Sequence, residues 1–231
     1  MQQFFTPNID LTTERYIFNE VESKHVAKVL RKNVGDILNL TNGKGQLIAA
    51  KLHLVSPKSC VVKLLEIKNI PAPKTVIHMI VAPTKNISRF EWFLEKATEL
   101  GVYKITPILC DRSERKHIKH ERCEKLIHAA LKQSLRAYMP ILAPLTALKK
   151  LEIKTPAFMA HCEDSPKKSL KDVVNGKTNC SILIGPEGDF SKNEIAWAND
   201  QNITAVHLGS NRLRTETAAL AALHTALLMN P

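Results

Sequence analysis

The spacing of apolar residues along this chain changes character near residue 70. Before that point, short apolar stretches such as YIF, DILNLT, QLIAAKLHLV and SCVVKLLEI are separated by turns, as strands of a β-rich unit are. The clearest turn is Asn42-Gly43-Lys44-Gly45, where Asn-Gly between two alternating runs signals a hairpin. One helix interrupts the strands: ESKHVAKVLRK places Val26, Val29 and Leu30 at helical spacing. Residues 1–70 are therefore expected to form a small β-barrel.

The stretch KNIPAPKT has two prolines and no apolar period, so it reads as a linker and domain boundary. From residue 74 to 231 strands and helices alternate. TVIHMIVA is a near-continuous apolar run, as expected of a strand buried on both faces. Ser88 with Glu91 predicts a capping box, Phe90, Leu94, Ala97 and Leu100 form a helical stripe, and Gly101 closes it. ITPILC is a further strand, and ERCEKLIHAALKQSLRAY reads as one long helix ended by Pro140. AFMAH, CSILIG and AVHLG are short buried strands, each leading to a loop and then a helix. Such alternation predicts an α/β domain, a parallel sheet with helices on both faces.

Charge adds a partner class to this picture. Lys and Arg number 33 against 22 Asp and Glu, a net charge of +11. A surplus of that size suits a polyanion as well as simple solubility. Aromatic residues make up only 5%, which argues against stacking platforms for single strands. The five cysteines form no C-x-x-C pair and several lie in apolar runs, the pattern of reduced, packed thiols. With no secretory signal in MQQFFTPNID and no apolar stretch long enough to span a bilayer, a soluble cytoplasmic protein without membrane partners is expected.

Ligands of open parallel sheets sit outside the carboxyl ends of the strands. Two strand ends stand out, LIGPEGDFSKNE and LGSNRLRTETAALAAL, each an apolar strand, a glycine-bearing bend and a helix start. Gly185 and Gly188 permit close backbone approach. No G-x-G-x-x-G and no P-loop is present, so the bends suit a flat, mostly neutral ligand held by backbone groups rather than a pyrophosphate. Metal chemistry finds little support: His117 and His120 lie in a charge-dense loop, and His161-Cys162-Glu163 lacks a second pair of ligands. No G-x-S-x-G elbow occurs either. Arg112, Arg136, Arg212 and Arg214 lie near strand or helix ends. Each could grip phosphate with two parallel bonds, or pair with a carboxylate such as Glu187 or Glu216.

In order along the chain, HVAKVLRKNVGDILNLTNGKG, RFEWFLEKATELGVYKITPI, DRSE, KQSLRAYMP, LIGPEGDFSKNEI and LGSNRLRTETAALAAL closely resemble the ribosomal RNA small subunit methyltransferase E family, of the SPOUT class. The last two are the most specific, GPEG followed by a Ser-x-x-Glu cap and LRTETA at a helix start. The resemblance implies a PUA-like β-barrel (1–70) joined to a SPOUT α/β domain (74–231) whose terminal segment threads a loop as a trefoil knot, against the usual rule. It implies S-adenosyl-L-methionine as cofactor, methylation of N3 of one uridine in 16S rRNA of the small ribosomal subunit, and a homodimer. Leu183, Ile184, Gly185 and Gly188 would then wall the cofactor site on one side. Leu208, Gly209, Ser210 and Leu213 would wall it on the other, with Arg214, Thr215 and Thr217 fixing the loop and helix start. Arg136, then Arg112, are the expected stabilisers of charge on the uracil, and Glu187 either accepts a proton or orders its bend. Two departures from the family pattern stand out: Asp189 where a glycine is usual, and Ser210-Asn211 where Pro-Arg is usual. A transfer RNA ribose methyltransferase of the same class, or a non-enzymatic ribosome-assembly protein, are the competing expectations.

Overall fold

Strand alternation in the first part of the chain builds one curled sheet. The computed structural model describes residues 3–231, which form two compact units, one of residues up to Ala72 together with Leu131–Met139 and the other of Pro73–Ala130 with Pro140–Pro231. In the first unit the strands are Gln3–Phe5 (β1), Arg15–Ile17 (β2), Ile37–Thr41 (β3), Gln46–Leu54 (β4) and Val61–Asn69 (β5). They are ordered β1-β3-β4-β5-β2, antiparallel except for β1 beside β3. Leu38 and Leu40 of β3 and Ile48, Ala50 and Leu52 of β4 face one core at period two, against Phe4, Phe18 and Val26. Val26 belongs to the interrupting helix, Glu20–Lys24 (α1), which continues as a π-turn through His25–Val29.

The Asn42-Gly43 hairpin is present and strongly tied. Asn42 Oδ1 accepts from the N–H groups of Lys44 and Gln46, and Gly43 and Gly45 have φ of 72° and 98°. The returning segment 131–139 packs on this turn. Met139 N–H donates to Gly43 O, and Tyr138, whose Oη donates to Ile70 O, covers the face where Gly45 would carry a Cβ.

That packing corrects the expected long helix. It spans His120–Gln133 and stops short of Pro140, because Leu135 turns left-handed (φ 55°) and Tyr138 forms a bridge with Lys44. Tertiary pairing outcompetes helix propensity here. In the second unit, Ile87–Leu100 (α2) is capped by Asn86 instead of the expected Ser88–Glu91 box. Asn86 Oδ1 accepts from both Ser88 N and Ser88 Oγ, while Glu91 is drawn into a two-pronged ion pair with Arg122. Gly101 does close this helix, at φ 99°. The His120–Gln133 helix is α3.

The second sheet is wholly parallel. Its strands are Val76–Val81 (β6), Lys104–Leu109 (β7), Ile141–Leu142 (β8), Thr146–Ala147 (β9), Ala157–Ala160 (β10), Lys168–Ser169 (β11), Asn179–Ile184 (β12) and Thr204–His207 (β13). Their order is β11-β13-β10-β12-β6-β7-β8, with β9 also on β7. Helices Leu170–Val174 (α4), Lys192–Asp200 (α5) and Thr215–Leu228 (α6) complete the unit. One face of the sheet buries Ile80, Ile108, Met159, Leu183 and Phe190 with Ala198 of α5. Against α6 lie α2, α4, β6 and β12; its Ala219, Ala222, Leu223 and Ala226 are fully buried, and the three alanines let the helix approach closely. Its end is pinned by Asn230, which donates to Val174 O and accepts from Thr75 Oγ1.

Gly45→Ala combines a left-handed backbone with overlap against a hydrogen-bonded Tyr138 ring. It is expected to cost about 1–3 kcal/mol, read as a lowered midpoint in urea denaturation; an unchanged midpoint would contradict the packing described.

Candidate functional site

Three neighbouring strands of the second sheet end abreast. In register across the sheet, Ala160 of β10 is beside both Ile184 of β12 and Val206 of β13. All three residues line a single cavity of about 870 Å³, within the size range of small-molecule sites. The chain then leaves β12 as the bend 185–190, β13 as the bend 208–214, and β10, between them, as the turn that begins with His161. The bends are its walls and the apolar strand ends its floor.

Each wall is shaped by a specific backbone requirement. A Cβ on Gly185 would stand 3.1 Å from the ring of Phe190, which is itself buried, so a side chain there would push against the fold of the bend. Gly209 needs glycine for a different reason, its φ of 123°, since open space surrounds it. Asp189 adopts a left-handed conformation (φ 62°), which aspartate tolerates better than most residues. Its carboxylate accepts the backbone N–H of Cys162 at 2.8 Å, which stitches the β10 turn to the β12 bend.

Further ties hold the walls in place. Thr215 Oγ1, at the start of α6, donates to Gly185 O at 3.1 Å. Glu187 Oε1 accepts the N–H of Lys85, and Arg112 donates to Gly188 O and Phe190 O. The predicted Ser-x-x-Glu cap is complete: Ser191 Oγ accepts from Glu194 N, and the Glu194 carboxylate accepts from Ser191 N and from Asp111 N.

The cavity thus gathers Ile184, Gly185, Glu187, Leu208, Gly209, Ser210, Leu213, Arg214 and Thr215 from the residues singled out in the sequence. Others lie elsewhere. Leu183 points into the core beneath, Gly188 backs against Arg112, and Thr217 is exposed on α6 outside the cavity. Arg112 grips the outside of its bend and does not line the cavity. Arg136 lies in the 131–139 segment of the first unit, half-buried, and burial lowers its pKa from the ordinary guanidinium value.

The lining also includes charged and polar side chains that the sequence does not mark as ligand-binding. Arg89 of α2 faces Glu216 at 3.9 Å, and Lys167 donates to the carbonyls of His161 and Glu163. His161, which the sequence offers only as a metal ligand, lines the cavity as well. Among the described residues no cluster of three or more His, Cys, Asp or Glu could hold a metal ion, and no helix is long and apolar enough to cross a membrane.

Thr215→Val keeps the volume of this side chain but removes the donor to Gly185 O. The expected cost is about 1–2 kcal/mol, with faster amide exchange in residues 212–216; unchanged stability and exchange would show that the two walls are not coupled through this bond.

Residues 71–227 match the RNA methyltransferase domain family, and residues 18–65 match the RNA methyltransferase PUA domain. Ribosomal RNA small subunit methyltransferase E of Rickettsia conorii is 29% identical over 210 residues, spanning 89% of this chain and 86% of the relative. A probable rRNA-methyltransferase from Porphyromonas gingivalis has a similar solved structure, with a TM-score of 0.91, 33% identity and coverage of 99% and 98% of the two chains. A ribosomal RNA small subunit methyltransferase E from Neisseria gonorrhoeae, solved bound to S-adenosyl methionine, superposes with a TM-score of 0.86 at 25% identity, covering 96% and 95%.

Proposed function

Since the chain belongs to the ribosomal RNA small subunit methyltransferase E family, we propose that it transfers the methyl group of S-adenosylmethionine to N3 of one uridine in 16S rRNA. The observation that carries this reading is the cavity at three abreast strand ends, walled by the bends 185–190 and 208–214. Its fit to a nucleoside is chemical. Ile184, Ala160 and Val206 give a flat apolar floor, and the bends present main-chain donors and acceptors around it. Bound there, the cofactor supplies an electrophilic methyl group on a sulfonium.

The protein's own residues have two tasks. The first is to hold the reacting groups in line. The cross-ties from Thr215, Asp189, Glu187 and Arg112 fix the walls before any ligand arrives, so little ordering remains to be done on binding. The second concerns charge. Uracil N3 carries a proton, and its loss spreads negative charge onto O2 and O4. A guanidinium placed at those oxygens stabilises charge that develops only as the reaction proceeds, which lowers the barrier. Arg136 is assigned this role. Its lowered pKa reflects burial, yet arginine remains charged at any physiological pH. Arg112 is committed to two bend carbonyls, so it serves the site by holding the wall. Glu187, whose carboxylate receives the Lys85 N–H, likewise orders its bend.

RNA would be held through backbone phosphates. The +11 charge supports this, although the basic loop around residues 112–122 has fewer available cations than its composition implies. Arg115 donates to Thr84 O and Lys85 O, and Arg122 is paired with Glu91. Within this loop Lys116 and Lys119 are exposed toward solvent, as are Arg212 and Arg214 at the cavity, and these are assigned to phosphate. The same reading includes a trefoil knot formed by the segment after β13, a homodimer and a cytoplasmic location.

The direct test is purified protein with labelled S-adenosylmethionine and small subunits from a strain lacking the gene, followed by nucleoside digestion. One 3-methyluridine per 16S rRNA is expected; label in a ribose, or none, overturns the proposal. Arg136→Ala should lower turnover at least a hundredfold with cofactor affinity within twofold, and unchanged turnover would remove Arg136 from the chemistry. RNA affinity should fall at least tenfold between 50 and 200 mM salt, and a flat response would contradict phosphate-driven binding.

A further inference from the structure

His161 is the one residue of the floor whose chemistry the fold leaves unanswered. It follows Ala160 on β10, so it stands between Gly185 and His207, the residues that follow Ile184 and Val206 on the two flanking strands. It is 7% exposed and lines the cavity. Neither Nδ1 nor Nε2 has a hydrogen-bond partner among the described residues. A buried polar group without a partner costs free energy, and native interiors rarely keep one unless water, an ion or a ligand completes it.

Its surroundings fix the ring in place without using its nitrogens. The His161 carbonyl accepts from Lys167 Nζ, and the next N–H, that of Cys162, is held by Asp189. The ring therefore hangs from a turn anchored on both sides. Burial, then the charge of Lys167, push its pKa below the ordinary histidine value, against the pull of Asp189 and Glu163. At neutral pH it is an uncharged imidazole with one donor and one acceptor nitrogen.

We infer that His161 is a cofactor-binding residue that hydrogen-bonds the adenosine half of the methyl donor, on the floor between the two bends. This rests on the function proposed above and adds a polar side-chain contact to the apolar floor between the two main-chain walls. The adenosine half is chosen on chemistry. A neutral donor–acceptor ring over an apolar floor complements the uncharged ring nitrogens and hydroxyls of a nucleoside. The charged amino-acid end is better served near exposed Arg212 and Arg214 at the cavity rim.

The test is calorimetric titration of S-adenosylhomocysteine and of 5′-methylthioadenosine, which lacks the amino-acid end, into wild type, His161→Phe and His161→Gln. His161→Phe keeps a flat ring and removes both nitrogens, so the ligand-free protein should melt at the wild-type temperature or higher. Affinity for both ligands should nevertheless fall at least tenfold, with His161→Gln recovering part of the loss. In wild type, ring signals of 15N-histidine that are missing from the His161→Phe spectrum should shift when S-adenosylhomocysteine binds. Affinities within twofold of wild type in His161→Phe, with wild type binding normally, overturn the inference while leaving the proposed function standing. A loss confined to S-adenosylhomocysteine overturns the assignment to the adenosine half. Should His161→Phe fail to fold, His161→Gln and the wild-type ring shifts decide in the same sense. A wild type that binds neither ligand overturns the proposed function itself, and this inference with it.

Discussion

Three parallel strands that end side by side impose the constraint on which the whole site depends. Where β12, β10 and β13 stop, their ladder hydrogen bonds stop too, and each departing chain carries main-chain groups that need partners. Side chains from other segments meet part of that need: Thr215 at Gly185 O, Asp189 at Cys162 N, Arg112 at Gly188 O and Phe190 O. Because each tie joins segments far apart in the chain, the bends are held against one another and the cavity between them is preformed. Main-chain groups left facing inward are then available to a ligand, already oriented.

Placement of charge follows from the same constraint. Glu194 is buried because it caps α5 and receives the Asp111 N–H together, so its charge is met by two backbone donors. Arg112, Arg115 and Arg122 are largely structural: two clamp carbonyls and one pairs with Glu91. A basic stretch read from composition alone thus overstates the positive charge it offers to a nucleic acid. Of the cations that line the cavity, Arg212 and Arg214 belong to the exposed bend that follows β13.

Much of this architecture is legible in the sequence because its signals are local. Strands buried on both faces read as apolar runs, and Asn42-Gly43, Gly101 and Ser191–Glu194 each mark a chain reversal or helix end where the structure has one. What escaped the sequence is non-local. The end of α3 is set by pairing of Tyr138 with Lys44, and Glu91 leaves its expected cap for Arg122, thirty-one residues away. His161 was invisible as a binding residue because its significance lies in strand order: only once β10 is seen between β12 and β13 does its ring fall on the floor of the site. The alternation that flagged two bends could not say that a third strand end lay between them.

Amide hydrogen exchange on the protein with and without S-adenosylmethionine examines that arrangement most directly. Protection confined to residues 160–163, 184–190 and 207–215, rising together with ligand concentration, is the result this structure predicts. Protection elsewhere, or exchange that the ligand does not alter at these three strand ends, would contradict the account.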